Sequence, residues 1–142
     1  MASTMKRMAG WMAAAGLCVV ALTGCGGPIT YTIKGSPKSP ELDGKFVAEP
    51  LEQNRITTLD IALEHLAPPD RLGSGKYFLA WARDDKGKWR RVGALEYDEK
   101  GRKGKLGRAS FPQTSFDFQV TVEGSIDASE PSGEAFYFQH VN

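Results

Sequence analysis

The chain has 142 residues, 18 Lys and Arg against 17 Asp and Glu, and a formal net charge of +1. That balance excludes a protein that holds nucleic acid through bulk positive charge. Two cysteines exclude a disulfide-dense scaffold, and the length allows one ordinary domain.

The N-terminus has the organisation that export requires. Lys6 and Arg7 are followed by an apolar run from Ala9 to Leu22, interrupted only by small glycines. The run is shorter than the roughly 20 residues of a membrane span. It ends in Leu22-Thr23-Gly24-Cys25, which resembles the lipobox of bacterial lipoprotein signals. The resemblance implies cleavage before Cys25, a diacylglycerol on its thiol and, usually, an acyl chain on the new amine. The alternatives are an ordinary secretory signal or an uncut anchor. Each buried CH₂ contributes about 0.8 kcal/mol, so two or three chains on Cys25 give lasting attachment where one does not.

Cys18 lies inside the leader, residues 1–24, and Cys25 carries lipid, so the mature domain has no cysteine for a disulfide. Its core must hold it together. Removal of Lys6 and Arg7 leaves 16 basic and 17 acidic side chains. Residue 26 is Gly. In enterobacterial lipoproteins an Asp there resembles an inner-membrane retention signal, and its absence leans toward the outer membrane. The expected location is a bacterial cell envelope, with the chain anchored to a membrane by Cys25.

Residues 25–50 read as the lipidated cysteine and a tether, rich in Gly-Pro, Ser-Pro and Glu-Pro steps. One candidate strand lies within it. Ile29, Tyr31 and Ile33 alternate with Thr30, Thr32 and Lys34, the period-two pattern of a strand. Residues 51–142 read as the domain. Residues 55–66 fit either a helix face or a strand face. The Thr57-Thr58 pair and Ile61 favour the strand, which is the expectation adopted.

Further on, short strands are predicted over Tyr77–Arg83, Lys88–Tyr97, Gly104–Phe111, Phe116–Glu123 and Ala135–Val141. Turns at Asp84–Gly87 and Asp98–Gly101 separate the first three. In the fourth, Phe116, Phe118, Val120 and Val122 are expected to be buried. Asp117, Gln119, Thr121 and Glu123 are expected to face water. Trp81 is expected to fill the core, with Phe78, Ala80 and Ala82 on an outer face covered by the N-terminal segment or a partner.

Six or seven antiparallel strands without a disulfide point to an all-β fold: a single immunoglobulin- or fibronectin III-like β-sandwich. A small barrel is the alternative. Four segments, Tyr77–Trp81, Arg91–Leu95, Phe118–Glu123 and Glu130–Gly133, resemble the extracytoplasmic β-sandwich of anti-sigma-K-type factors and similar domains of envelope lipoproteins. The likeness covers about residues 75 to 135 and informs fold. The chain lacks the family's cytoplasmic sigma-binding segment and transmembrane helix, so sigma inhibition does not carry over.

No catalytic constellation is legible. G-x-S-x-G is absent, and His65 and His140 are the only histidines. Neither histidine has metal-ligand spacing to a carboxylate cluster, so no metal or cofactor is expected. His140 alternates with Phe136 and Phe138 and reads as a rim or core histidine.

The functional lead is charge. Nine Lys and Arg against three acids lie between Lys86 and Arg108, whereas Ala109 to the end has five acids and no Lys or Arg. Lys88, Trp89, Arg90, Arg91, Arg102, Lys103 and Lys105 are the candidate contacts, with Trp89 the aromatic placed to stack on a sugar ring or at an interface. The plain reading of this stretch is edge protection by charged hairpins. The functional readings are an anionic envelope polymer, suited to Arg, or an acidic envelope protein. The expected role is a non-enzymatic binding or structural module held near a membrane. The alternatives are an accessory or sensory subunit of an envelope complex and an unrecognised hydrolase.

Overall fold

A computed structural model describes residues 27–142. The leader and Cys25 lie outside the described residues. Nine strands and one short helix follow in order: β1 (Ile29–Lys34), β2 (Asp43–Leu51), β3 (Ile56–Glu64), α1 (Pro69–Leu72), β4 (Tyr77–Arg83), β5 (Arg90–Ala94), β6 (Glu96–Asp98), β7 (Lys103–Phe111), β8 (Phe116–Glu123) and β9 (Ala135–Val141). They form two antiparallel sheets, ordered β1-β2-β3-β7-β6 and β5-β4-β8-β9. The sheets pack face to face as a β-sandwich.

The ambiguous segment 55–66 is strand β3, with Thr57, Leu59, Ile61 and Leu63 buried. The tether expected through residue 50 gives way at its second half. Residues 43–51 form β2 and pair with both β1 and β3. The reason is packing: β2 contributes Phe46 and Ala48, both fully buried. Phe46 stacks on Phe118 of the opposite sheet at 4.2 Å between ring centroids and on Tyr31 of β1 at 5.7 Å. Such stacking adds about 1 kcal/mol per pair beyond area burial. Phe78, Phe136 and Tyr97 form a second aromatic group, and Phe111 with Phe116 a third.

The expected strand Lys88–Tyr97 is two strands in two sheets. The break is at Leu95, which is buried where the chain crosses over and whose N–H donates to the Phe78 carbonyl at 2.9 Å. Before it, β5 pairs with β4; after it, β6 pairs with β7. One apolar anchor thus lets a single run serve both sheets.

The two faces of β4 are the reverse of the expectation. Phe78, Ala80 and Ala82 belong to the inter-sheet cluster, whereas Leu79 and Trp81 are buried outside it. Register decides this. Phe78, Ala80 and Ala82 lie opposite Val122, Val120 and Phe118, the core side of β8. Leu79 and Trp81 lie opposite Thr121 and Gln119, on the outer side.

Candidate functional site

The outer face of the β5-β4-β8-β9 sheet carries the chemistry of the molecule. Its rows include Leu79, Trp81 and Arg83 of β4, Asp117, Gln119, Thr121 and Glu123 of β8, and Phe138 and His140 of β9. It divides into a covered half and an open half.

The 124–134 loop between β8 and β9 covers the first half. Glu123, expected in water, is only 1% exposed. A buried carboxylate must be hydrogen-bonded. Thr121 Oγ1 donates to it at 2.6 Å, and the Ser132 hydroxyl and backbone N–H donate at 2.5 and 3.1 Å. The Gly133 N–H adds a longer contact of 3.4 Å. Burial pushes the Glu123 carboxyl up, but these donors outweigh it and hold the group below its ordinary value. Trp81 Nε1–H donates to Thr121 Oγ1 at 2.8 Å, extending the chain of bonds to the indole. Two glycines permit the close approach. A Cβ at Gly75 would lie 2.4 Å from the Glu123 carbonyl oxygen, and one at Gly133 2.7 Å from that of Val122.

Arg91 holds the far side of the loop, donating from Nη1 to the carbonyls of Ile126 and Ala128 at 2.7 and 3.2 Å. Its role here is to position the loop over Trp81. Arg91 lies opposite Trp81 in the β4–β5 register.

The open half lies toward the end of β4. The Arg83 guanidinium sits 4.3 Å above the Trp89 ring. Its Nε donates to Asp117 Oδ2 at 3.2 Å, and the other Asp117 oxygen faces His140 Nδ1 at 2.8 Å. These bonds, His140 first and then Arg83, hold the Asp117 carboxyl below its ordinary value against the opposing effect of burial. A carboxylate only accepts, so Nδ1 of His140 donates this bond, and Nε2 has no hydrogen-bond partner among the described residues. Phe138 is 52% exposed and meets the Trp89 ring edge-on at 6.5 Å. The expected alternation of Phe136, Phe138 and His140 on one face is broken by the β8–β9 irregularity at Val120/Thr121, and Phe136 turns into the core.

The basic stretch is divided between the sheets. Lys88 and Arg90 are exposed beside the half-buried Trp89. Lys103 and Lys105 lie on the other sheet, opposite Asp98 and Glu96 in the β6–β7 register. Lys103 Nζ also lies 3.7 Å from Glu64. Arg102 is an exposed turn residue with φ of +52°. On this second sheet, charges of alternating sign make a solvated face. The candidate lipid site, Cys25, lies outside the described residues.

Arg83, Asp117 and Phe138 were absent from the candidate set. Their signal in sequence was weak: an Arg at the end of an apolar strand, an Asp expected on a wet face, and a Phe within an aromatic strand. His65 faces Asp43 at 3.0 Å on the other sheet, away from His140. Among the described residues no group of three or more His, Cys, Asp or Glu converges as metal ligands. A surface depression of about 680 Å³ is lined by Ile33, Leu42, Gly44 and neighbours of β1–β3, with Lys34, Asp43, Lys45 and Glu64 of mixed sign. It holds no exposed aromatic ring and lies on the opposite sheet.

No protein-family model, curated protein or solved structure matches the chain.

Proposed function

We propose that this is a lipid-anchored protein of a bacterial cell envelope, held to the membrane through Cys25, whose sandwich is a non-enzymatic binding module. The leader and its Leu22-Thr23-Gly24-Cys25 ending support the anchor. Gly26, rather than Asp, supports the outer membrane. The observation that carries the binding role is the open half of the outer face: an exposed phenylalanine, a tryptophan and an arginine oriented by a carboxylate. A solvent-facing aromatic beside an oriented cation is typical of recognition surfaces.

The sandwich itself belongs, on this reading, to the immunoglobulin or fibronectin III kind. Omitting β1, the order β2-β3-β7-β6 against β5-β4-β8-β9 corresponds to the A-B-E-D and C′-C-F-G arrangement. The resemblance of residues 75–135 to anti-sigma-K-type extracytoplasmic domains agrees with this, and its Glu130–Gly133 segment lies in the loop that covers Trp81.

The test has two parts. Metabolic labelling with an alkynyl fatty acid is expected to mark the wild-type chain and not Cys25→Ala, which should leave the membrane fraction. Crosslinking in cells, followed by identification of everything attached, is expected to recover envelope polymer. Recovery of one protein at equal amounts, with no polymer, would make the chain an accessory subunit of an envelope complex instead.

A further inference from the structure

We infer that the open half of the outer face binds a sugar residue bearing a carboxylate, with Arg83 as the anion fork and the Trp89–Phe138 pair as the apolar rest. The inference rests on the binding-module reading and names its ligand class.

Arg83 carries the argument. Its guanidinium is stacked on Trp89 at 4.3 Å and tied through Nε to Asp117. Asp117 is in turn held by His140. An arginine restrained on two sides loses little further side-chain freedom when it binds. The bond to Asp117 uses Nε alone, and neither Nη nitrogen has a hydrogen-bond partner among the described residues. The side chain is 38% exposed. A planar guanidinium with its two outer nitrogens open matches a carboxylate with two parallel bonds.

The surroundings narrow the ligand. Phe138 offers an apolar face beside the fork, and Trp89 lies edge-on to it. Nε2 of His140, the ring nitrogen that does not face Asp117, is left to meet a hydroxyl group, which can donate or accept. A sugar acid presents all three complements on one ring: a C–H face, a carboxylate and hydroxyl groups. The local charge is small: Arg83, Lys86, Lys88, Arg90 and Arg91 stand against Asp84, Asp85 and Asp117, a net of +2. That suits one carboxylate per sugar more than a dense phosphate polymer.

The covered half of the same face serves as an internal precedent. There Arg91 donates to carbonyl oxygens of the 124–134 loop, and the loop lies over the buried Trp81. In the open half an arginine and a tryptophan recur, and among the described residues no hydrogen bond ties either side chain to the 124–134 loop.

The test uses the full-length lipidated protein in detergent, with oligogalacturonate as the probe and titration calorimetry as the readout. Its methyl ester, which keeps the rings and removes the anion, is expected to bind at least about tenfold more weakly, the size of one charge-assisted hydrogen bond lost. Arg83→Lys is expected to give a similar loss while the domain still unfolds in one cooperative urea transition, and Phe138→Ala a smaller one. Lys45→Ala, on the other sheet, should bind as wild type. Equal binding of acid and ester overturns the inference, as does wild-type affinity in Arg83→Lys. Preference for polyglycerol phosphate or for a peptide carboxylate would assign another ligand class and overturn it equally. If no probe binds while crosslinking to envelope polymer still depends on Arg83, the ligand class is wrong and the binding module stands. If crosslinking also fails, the module reading fails with it.

Discussion

The two halves of the outer face are built from the same parts and used differently. Each has a tryptophan, an arginine and a carboxylate: Trp81, Arg91 and Glu123 in one, Trp89, Arg83 and Asp117 in the other. In the covered half every partner comes from the chain. The 124–134 loop folds back, Glu123 takes its N–H groups, and Arg91 takes its carbonyls. In the open half the carboxylate orients the arginine, and the exposed surface continues through Phe138. The difference teaches what covers such a face. The same side-chain types stand in both halves; what differs is the loop that folds back over one of them.

Paired substitutions test this contrast. The largest effect is expected at the tryptophans. Trp81→Ala should lower stability by about 3–5 kcal/mol, the range for a buried large side chain. Trp89→Ala should cost about 1 kcal/mol, the scale of an exposed cation–π contact. Urea unfolding measures both, and equal losses would show that the open half is structural too.

The carboxylates come next. Glu123→Ala strands the Ser132 and Thr121 donors and should cost about 2–3 kcal/mol. Trp81 emission should shift to the red as the loop detaches. Asp117→Asn should cost about 0.5–1 kcal/mol, as expected of a largely solvent-screened pair. A blue emission maximum retained in Glu123→Ala would show that the loop stays closed without its anchor.

Acid offers a third comparison. Both carboxyls lie below their ordinary values in the folded protein. The folded state therefore binds fewer protons than the unfolded one as acid is added. The stabilisation is fully present above about pH 5 and is lost as pH falls through the folded-state values. Unfolding midpoints measured down the acid limb should fall less steeply in Glu123→Gln than in wild type, and Asp117→Asn should change the limb in the same direction.

The smallest effects separate the arginines. Arg91→Ala should cost about 1 kcal/mol and speed amide exchange in residues 125–133. Charge reversal of Lys105, on the solvated face of the other sheet, should stay within about 0.5 kcal/mol. A larger loss at Lys105 would mean that its register with Glu96 is an ion pair of consequence.

Much of the architecture was legible in local pattern. Period-two alternation located β1 and β8, and Asp-Gly-rich turns separated the middle strands. Two threonines and a β-branched residue settled β3. Strand β2 was hidden because Glu49-Pro50 and the prolines before it look like spacer. Pro50 is tolerated at the end of the strand, where it lies opposite Thr57 near the turn. Of the open site, only Trp89 and its basic neighbours stood out. Arg83 and Asp117 are distant in sequence and meet only because β4 and β8 pair in a register that sets them opposite each other.

By itself, the sequence determined the all-β class and, with no cysteine in residues 27–142, a domain that coheres without a disulfide. Those properties are written in composition and short-range periodicity. Only the tertiary structure decided which side of β4 faces the core, because a strand apolar on both faces contains no polar side to read. Tertiary structure also buried Glu123, since the loop that covers it supplies donors nine and ten residues away. It separated the covered tryptophan from the open one for the same reason: burial depends on what folds over a face, and that is set by long-range pairing.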